Sequence, residues 1–357
     1  MNNTNTSNYI SKVLINWYNS NKRELPWRDI NDPYRIWISE IILQQTRVNQ
    51  GISYYLRFIE RFPTVSILAN SDEDEVLKNW QGLGYYSRAR NIHKAANQVI
   101  SNFGGLMPFN YKDVLTLAGI GDYTAAAICS FAYNQPYAVV DGNVFRVISR
   151  LFGIKTPIDT TIGKKQFADL AHELLSKDNP GLHNQAIIEF GALQCVPVSP
   201  DCSKCPLQNI CFAFSSNMIA ELPIKSKKIQ INTRFFNYLN IEYLNNTYLK
   251  KRTAKDIWQN LYEYVLIESD HLLTETELLT NEKFQSIFKG VLTVEIINFS
   301  KPIKHILTHR VIHAQCITIR ISNEIKNINN EFEKVDFQNV DKYAVSRLME
   351  LFLGMKK

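Results

Sequence analysis

The amino-acid sequence predicts two domains, an all-α domain followed by a smaller α+β domain. Apolar residues recur at helical spacing through about the first 210 residues, with short loops between the helical segments. From residue 235 onward, apolar and polar residues alternate in short runs, which is the pattern of β-strands. A chain of 357 residues is also too long for one ordinary hydrophobic core. Two separately folded domains are therefore expected.

Composition and charge indicate a globular protein with a polyanionic partner. Hydrophobic residues make up 45% of the chain and charged residues 21%, as in globular proteins generally. The formal net charge is +6 and the isoelectric point is about 8.8, which mildly favours a nucleic-acid partner. No apolar run is long enough to span a membrane, and the polar N-terminus does not have the pattern of a signal peptide. We therefore expect a cytoplasmic protein that does not bind membranes.

The all-α domain is predicted to span residues 1–215. Its first helix covers 9–20, and a second helix begins at Asp32-Pro33 with a side-chain cap and a proline in its first turn. A glycine loop with aromatic residues, Gln-Gly-Leu-Gly-Tyr-Tyr, follows at 81–86. Further helices are predicted at about 50–61, 72–80, 86–102, 111–117, 122–132, 143–152, 163–176 and 183–194.

The α+β domain is predicted to span residues 233–357, after a linker at 216–232 that contains a proline and a run of lysines. Alternation over 235–244 predicts a first strand, and an Asn-Asn turn leads to a second strand at 248–252. Additional strands are predicted at about 262–268, 291–299, 304–310 and 314–321, and helices at about 275–289 and 338–353.

A glycine hairpin followed by an aspartate dominates residues 115–146. Gly119 and Gly121 allow a tight turn between two short helices, and the second helix then starts with unpaired backbone amides. Such a helix start can bind a phosphate with little side-chain charge. An ordinary helical corner would give the same local pattern. Asp141, in a Gly-Asn turn just beyond the second helix, favours chemistry on a nucleic acid.

Four of the six cysteines lie within 17 residues, with the spacing C-x6-C-x2-C-x5-C. They are Cys195, Cys202, Cys205 and Cys211. In a reducing compartment such thiolates bind a zinc ion or an iron–sulfur cluster. Zinc ribbons usually use two closely spaced pairs, so the uneven spacing favours a [4Fe–4S] cluster in a loop at about 195–211. Cys129 and Cys316 lie in apolar runs and are expected to be buried packing residues.

A second acidic side chain, Glu40, lies on the helix that begins at Pro33. Its face of the helix also carries Trp37 and Gln44, whereas the isoleucines take another face. In a closed pocket, desolvation would raise the pKa of Glu40; an exposed glutamate on an amphipathic helix is the alternative. Together with Asp141, Glu40 matches what cleavage of a glycosidic bond requires: an acid for the leaving group and an anion near the developing oxocarbenium ion.

Several motifs, in order along the chain, resemble those of one enzyme family. The glycine hairpin, Val-Asp-Gly-Asn-Val-Phe-Arg (140–146) and the four-cysteine loop resemble the helix-hairpin-helix DNA glycosylases of the endonuclease III superfamily. Leu-Pro-Trp-Arg (25–28), Trp-Ile-Ser-Glu-Ile-Ile-Leu-Gln-Gln-Thr (37–46) and Gly-Leu-Gly-Tyr-Tyr-Ser-Arg-Ala-Arg-Asn (82–91) resemble the MutY family of adenine DNA glycosylases. The resemblance is dense over 9–215 and weaker toward the C-terminus, where that family carries a Nudix-like domain.

The resemblance implies a monofunctional enzyme that removes adenine paired with 8-oxoguanine, and more weakly with guanine, from double-stranded DNA. It implies that Glu40 protonates the adenine, that Asp141 stabilises the oxocarbenium ion, and that Tyr123 and Asn143 orient these groups and water. The implied contacts to the flipped adenine are Trp27, Arg28 and Gln185. The implied contacts to the duplex are Gln45, Thr46, Leu83, Tyr85, Gly119 and Gly121. The [4Fe–4S] cluster would shape a DNA-binding loop, and the protein would act as a monomer.

Three positions qualify the resemblance. Bifunctional relatives have a Schiff-base lysine where this chain has Tyr123, and a tyrosine cannot form an imine, so strong strand cleavage is not expected. Ala118 stands where the family usually has proline. The Phe-Ser-His loop that checks for 8-oxoguanine is Leu307-Thr308-His309 here, and Thr308 and His309 keep the hydroxyl and the ring donors. The domain lacks the glutamate-rich Nudix box, so nucleotide hydrolysis is not expected.

Two other functions stay open on the sequence. One is a glycosylase of the same superfamily that removes thymine or oxidised pyrimidines, although Tyr123 and the second domain argue against its strand-cleaving versions. The other is a non-catalytic DNA-binding or iron–sulfur structural protein, which would tolerate the loss of Glu40 or Asp141. An assay of base release from defined mispairs would distinguish the first alternative from an adenine glycosylase. Substitution of Glu40 or Asp141 would distinguish the second, non-catalytic alternative from an enzyme.

Overall fold

The structure, a computed structural model, describes residues 3–226, 231–325 and 331–354. The chain divides into two compact units. They are Met1–Asn70 with Asn91–Lys227, and Ser71–Arg90 with Lys228–Lys357. Among the described helices, none is both long enough and apolar enough to cross a membrane.

Helices follow one another from the N-terminus to the end of the cysteine loop. They are α1 (Asn3–Asn21), α2 (Pro33–Leu43), α3 (Val48–Arg61), α4 (Val65–Ala69), α5 (Glu73–Trp80), α6 (Ser87–Phe103), α7 (Tyr111–Leu115), α8 (Asp122–Tyr133), α9 (Gly142–Phe152), α10 (Thr161–Leu174), α11 (Pro180–Leu193) and α12 (Phe212–Ser215). The helices predicted from apolar spacing are confirmed, with ends shifted by a few residues. The sequence does not predict α4, because a helix of five residues is too short to show a helical period.

The core of the first unit forms between α1, α9, α10 and α11. Its most deeply buried side chains include Leu14, Ile148, Phe167 and Phe190. Burying a side chain of this size contributes about 1.5–3 kcal/mol, so the cluster holds these four helices together. The adjacent helix α2 begins where Asp32 accepts two backbone N–H groups of its first turn, and it packs against α8.

The second unit is built on a mixed β-sheet. Its strands are β1 (Asn232–Glu242), β2 (Asn246–Lys251), β3 (Tyr262–Ser269), β4 (Val294–Phe299), β5 (Ile303–Ile306), β6 (Arg310–Ile321) and β7 (Phe332–Asp336). Their order across the sheet is β4-β6-β1-β3-β2-β7, and β5 pairs with β6. Strands β1 and β6 run parallel, whereas the other pairs are antiparallel. The predicted change from helices to an α+β region is confirmed.

Helices cover both faces of this sheet. They are α13 (Glu275–Thr280), α14 (Glu282–Ile287) and α15 (Arg347–Phe352). Phe236 and Tyr238 of β1 belong to the apolar cluster that includes α15, and Leu239 and Ile241 belong to the cluster that includes α13 and α14. Alternate residues of a strand point to opposite faces, so β1 contributes to both cores.

Two predicted helices of the second unit differ from the structure. The helix predicted at 275–289 is divided into α13 and α14, because the side chain of Asn281 accepts two backbone amides and caps α14. The helix predicted at 338–353 is also divided. Its first part is a 3₁₀ helix, Phe337–Lys342, and only α15 is α-helical.

The predicted strands lie where the structure has strands, but their first and last residues differ. The strands predicted at 304–310 and 314–321 are the short β5 and the long β6, which are joined by a turn at 307–309. The strand predicted at 291–299 begins later, at Val294. The sequence does not predict β7, an edge strand that is half exposed and carries no clear alternation of apolar residues.

The predicted boundary between the domains differs from the division in the structure. Residues 71–90, predicted as part of the helical domain, belong to the unit that contains the sheet. Lys251 Nζ forms an ion pair with Asp74 at 2.6 Å, and the Tyr86 hydroxyl donates to the carbonyl of Val345 at 3.2 Å. These partners are far apart along the chain, so no local sequence pattern indicates them.

Part of the predicted linker, 216–232, is packed against the first unit. Arg150 Nε donates to the carbonyl of Leu222 at 3.1 Å, and the amide of Ile158 donates to the carbonyl of Ile224 at 3.0 Å. Residues 227–230, which include two of the predicted linker lysines, lie outside the described residues.

Candidate active site

A cavity of about 590 Å³ opens in the first unit. Its wall is formed by α2, by the starts of α8 and α9, by α11 and by the loop that precedes α2. The predicted catalytic residues all line it: Glu40, Tyr123, Asp141 and Asn143. Five of the predicted adenine and DNA contacts line it as well: Trp27, Arg28, Gln45, Thr46 and Gln185. The structure therefore brings together residues from five separate stretches of the sequence.

Glu40 lies in the cavity wall with only 9% of its surface exposed. The Tyr123 hydroxyl donates a hydrogen bond to Glu40 Oε2 at 2.8 Å. Burial raises the pKa of Glu40 to about 7; the bond from Tyr123 opposes this rise, and the charge of Asp141 adds to it. Glu40 can therefore carry a proton near neutral pH, as a general acid must.

Asp141 caps α9, and the helix start fixes its carboxylate. Oδ1 accepts the backbone amides of Asn143 at 2.9 Å and Val144 at 2.8 Å, and Oδ2 accepts Asn143 Nδ2 at 2.7 Å. Burial raises the pKa of Asp141, whereas these hydrogen bonds and the nearby Arg146 favour the charged form and act against the rise. The two carboxylates thus face one cavity in different environments.

Arg146 supports this arrangement, a role that the sequence alone does not indicate. Its Nη2 donates to Asn143 Oδ1 at 2.8 Å and to the carbonyl of Gly191 at 2.6 Å. Because Asn143 Oδ1 accepts the hydrogen bond from Arg146, the Nδ2 atom of Asn143 is directed toward Asp141. Gly191 leaves room for this contact, since a Cβ there would lie 2.7 Å from the Cβ of Asn143.

Glu189 is a further buried carboxylate that the sequence analysis does not single out. Its Oε2 accepts Arg23 Nη2 at 2.7 Å and Arg28 Nη2 at 2.5 Å. Burial alone would raise the pKa of Glu189, but the hydrogen bonds from the two guanidinium groups outweigh it and lower the pKa to about 2. Glu189 therefore fixes Arg28 in the cavity wall. The available signal was a single glutamate in the apolar stretch Ala-Ile-Ile-Glu-Phe-Gly.

Other contacts fix the remaining side chains of the cavity. The ring of Trp27 meets Tyr55 edge-on, with 5.1 Å between the ring centroids. Gln185 Oε1 accepts the hydroxyl of Tyr18 at 2.7 Å. Gln45, just beyond α2, has a left-handed backbone with φ 58°.

Gly119 and Gly121 lie in the turn between α7 and α8. Gly119 has φ +76°, and a Cβ at this position would lie 2.6 Å from the Cβ of Asn91, so a larger residue would be both strained and obstructed. Gly121 immediately precedes α8, and a Cβ there would meet nothing within 4 Å. The turn is exposed at both glycines, so backbone amides at the start of α8 are accessible.

Four predicted DNA contacts lie in the second unit. Leu83 and Tyr85 are in the loop between α5 and α6, and Thr308 and His309 are in the turn between β5 and β6. The hydroxyl groups of Tyr85 and Thr308 form a hydrogen bond. Tyr85 has a left-handed φ of 48° and is 47% exposed. The structure therefore places two loops side by side that are more than two hundred residues apart.

The four clustered cysteines line one small cavity. All six cysteines of the chain are among the described residues, and each is free of a disulfide. In the described part of the chain, no group of three or more His, Cys, Asp and Glu residues is arranged to hold a metal ion. Arg150 fixes the loop, since it donates to the carbonyls of Val196 at 2.8 Å and Pro197 at 2.9 Å. Cys129 and Cys316 are buried elsewhere, as predicted.

Comparison with known proteins places this chain in a family. The model of the HhH-GPD superfamily of base excision DNA repair proteins matches residues 38–173. The adenine DNA glycosylase of Buchnera aphidicola subsp. Baizongia pistaciae is 35% identical over 326 residues, which cover 89% of this chain and 88% of that protein. The human adenine DNA glycosylase is 41% identical over 209 residues, which cover 56% of this chain and 38% of that protein.

Solved structures agree on the fold of the helical part. A thermostable thymine-DNA glycosylase aligns with a TM-score of 0.55 at 29% identity, covering 59% of this chain and 97% of that chain. An endonuclease III in a non-covalent complex with DNA aligns with a TM-score of 0.53 at 23% identity, covering 61% of this chain and 99% of that chain. With a relative matched over nearly its full length, this chain belongs to the adenine DNA glycosylase family and is a DNA glycosylase.

Proposed function

We propose that this enzyme excises adenine paired with 8-oxoguanine, and more weakly adenine paired with guanine, from double-stranded DNA. One observation carries the proposal: a buried glutamate, Glu40, whose pKa is raised to about 7, shares a cavity with Asp141, the aspartate that caps α9. An acid and an anion are the two groups that cleavage of an N-glycosidic bond requires. Membership in the adenine DNA glycosylase family supports adenine as the base.

In the proposed mechanism, Glu40 gives its proton to the adenine ring. The bond between the base and the sugar then breaks, and its electron pair leaves with the protonated base. Asp141 stabilises the positive charge that develops on the sugar until water adds at the same carbon and releases a proton. Tyr123 holds Glu40 and Asn143 holds Asp141, at the distances given above. Tyr123 has no amine to form an imine with the sugar, which supports a monofunctional enzyme.

We propose distinct roles for the other residues of the cavity and for the hairpin. Trp27, Arg28 and Gln185 contact the flipped adenine, which the cavity is large enough to accept. Gln45 and Thr46 contact the duplex beside the extruded nucleotide. Gly119 and Gly121 present backbone amides to the DNA phosphates.

For the second unit we propose a Nudix-like fold that reads the base opposite the adenine. Thr308 and His309 would contact 8-oxoguanine, and Leu83 and Tyr85 would fill the space that the extruded adenine leaves. The hydrogen bond between Tyr85 and Thr308 supports a shared role for the two loops. The enzyme would act as a monomer.

The proposed function predicts an order of substrates. Single-turnover release should be fastest for adenine opposite 8-oxoguanine, slower for adenine opposite guanine, and undetectable for thymine opposite guanine. Fast release of thymine would instead favour the activity named for the thymine-DNA glycosylase of similar fold. Release of neither base from duplexes that the protein binds would favour a non-catalytic DNA-binding protein.

Thr308→Ala and His309→Ala should weaken the preference for 8-oxoguanine over guanine and leave adenine release itself intact. Each lost hydrogen bond should remove about 1–3 kcal/mol of discrimination. The measurement is single-turnover release from both duplexes. Thr276→Ala, which removes an exposed hydroxyl from α13, is the matched control. If release opposite guanine falls as much as release opposite 8-oxoguanine, the turn has only a structural role.

We also propose that Cys195, Cys202, Cys205 and Cys211 hold a [4Fe–4S] cluster. Four free thiols lining one cavity fit a thiolate-bound cluster. The cluster would bring no hydrolytic chemistry; it would hold the loop at the end of the helical unit.

The cluster predicts a colour and a metal content. The purified protein should be yellow-brown with broad absorption near ~400 nm and about four iron atoms per chain, as thiolate-bound iron–sulfur cubes have. Cys202→Ser should lose both signals, whereas Cys129→Ser, at a buried cysteine of α8, should keep them. Stoichiometric zinc without iron, in aerobic and anaerobic preparations alike, would contradict the proposal.

A further inference from the structure

A single side chain from α6 ties together the two sides of the hairpin turn between α7 and α8. Gln98 is half-buried, and its Oε1 accepts the backbone amide of Ala118 at 2.7 Å. Its Nε2 donates to the backbone carbonyl of Thr116 at 3.3 Å. The side-chain amide therefore bridges a donor and an acceptor of the turn on either side of Leu117.

A second amide side chain on the same face of α6 lies beneath the glycine of the turn. Asn91 precedes Gln98 by seven residues, which is about two helical turns. Gly119 approaches Asn91 so closely that a Cβ would lie 2.6 Å from the Asn91 Cβ atom. Leu117 and Ile120 of the turn are buried. Asn91 therefore limits the space beside Gly119, and Gln98 makes hydrogen bonds to the turn.

The residue type at position 118 makes the hydrogen bond from Ala118 to Gln98 important in this chain. With alanine there, the turn keeps a backbone N–H in a half-buried place, and an unpaired N–H in such a place is costly. The alternative is a proline, which has no N–H and fixes its own φ. In this chain the restraint comes from outside the turn, through Gln98.

We propose that Gln98 is a positioning residue for DNA binding: it holds the turn so that the backbone amides of Gly119 and Gly121 keep a fixed geometry toward the phosphate backbone. The proposal rests on the proposed role of the hairpin in binding DNA. Gln98 bonds to the turn at Thr116 and Ala118, and we do not propose it as a phosphate contact. Its effect passes through Ala118 and Thr116.

The proposal predicts a defect in binding without a defect in chemistry. Gln98→Ala should raise the Kd for duplex DNA about tenfold, the size expected for the loss of two ordinary hydrogen bonds. The rate of adenine release at saturating enzyme should stay within about twofold of the wild-type rate, because Gln98 does not touch the cavity. Asn97→Ala is the matched control, since the exposed Asn97 side chain donates only within α6, to the carbonyl of His93 at 2.9 Å. Its Kd should not change.

A double-mutant cycle with Ala118→Pro tests the route of the effect. Proline removes the N–H that Gln98 satisfies and stiffens the turn. In the Ala118→Pro background, Gln98→Ala should therefore raise the Kd by no more than about threefold. A loss of equal size in both backgrounds would overturn the proposal, because Gln98 would then act independently of Ala118.

Other outcomes separate this proposal from the function on which it rests. If the wild-type enzyme neither binds the duplex nor releases adenine, the proposed function fails. If the wild type is active and Gln98→Ala binds equally well, the proposed role of Gln98 fails alone. The proposed role of Gln98 would also be overturned if Gln98→Ala lowered only the rate of adenine release at saturating enzyme and left the Kd unchanged. Should Gln98→Ala fold poorly, Gln98→Met takes its place in the same cycle, because methionine keeps the length of the side chain and loses both hydrogen bonds.

Discussion

Glu40→Gln should lower the rate of adenine release by at least ~10²-fold while the enzyme still binds mispaired duplex. Glutamine keeps the shape of the side chain and can accept the hydrogen bond from Tyr123, but it has no proton to transfer. A lost proton transfer alone is worth about 10²–10⁴-fold. Single-turnover release and Kd, measured on the same protein, separate chemistry from binding.

The dependence on pH gives this prediction a second test. Because the pKa of Glu40 is raised to about 7, the protonated acid dominates below that pH and its fraction falls as the pH rises through it. Wild-type release should therefore be nearly constant in mildly acidic solution and decline by about tenfold per pH unit well above 7. Glu40→Gln should lose this decline. Glu60→Gln, at an exposed glutamate on α3, should keep both the rate and the profile. An unchanged profile in Glu40→Gln would assign the acid to another group.

The residues with short-range signals are the ones that the sequence could predict. Asp141 is followed by Gly-Asn and a helix, and the structure has it as the cap of α9. Glu40 stands out because it is a carboxylate on an apolar helix, and its low exposure follows from that helix being packed on α8. The alternation in the second unit similarly predicted strands, and the structure shows that they bury side chains on both faces of the sheet. Each of these signals lies within a few residues of the feature it predicts.

The features that the sequence could not predict depend on distant partners. Glu189 bonds to Arg28, which is 161 residues away in the sequence, and Asp74 bonds to Lys251, which is 177 residues away. Neither pair leaves a periodic pattern, because an ion pair needs only two residues that the fold happens to bring together. The assignment of 71–90 to the second unit has the same cause. The contact between Tyr85 and Thr308 is likewise set by the fold alone.

Asp141→Asn should also lower adenine release by on the order of 10²–10³-fold, the usual loss when a group that stabilises developing charge is removed. This variant separates the catalytic role of Asp141 from its structural role, because asparagine is also a good helix cap. Its side-chain oxygen can still accept the backbone amides of Asn143 and Val144, so α9 should still form. What changes is the charge beside the sugar and the contact at Oδ2, where two amide nitrogens would now face each other. Release and Kd are measured as for Glu40→Gln.

The two carboxylate variants should differ in their response to pH. Asp141→Asn retains Glu40 as the acid, so its residual release should still decline above neutral pH. Since the charge of Asp141 contributes to the raised pKa of Glu40, removing that charge should move the decline to a lower pH. Asp169→Asn, at an exposed aspartate on α10, should release adenine at the wild-type rate. If Asp141→Asn binds duplex and releases adenine normally, Asp141 serves only to cap α9, and stabilisation of the sugar cation must come from another group in the cavity.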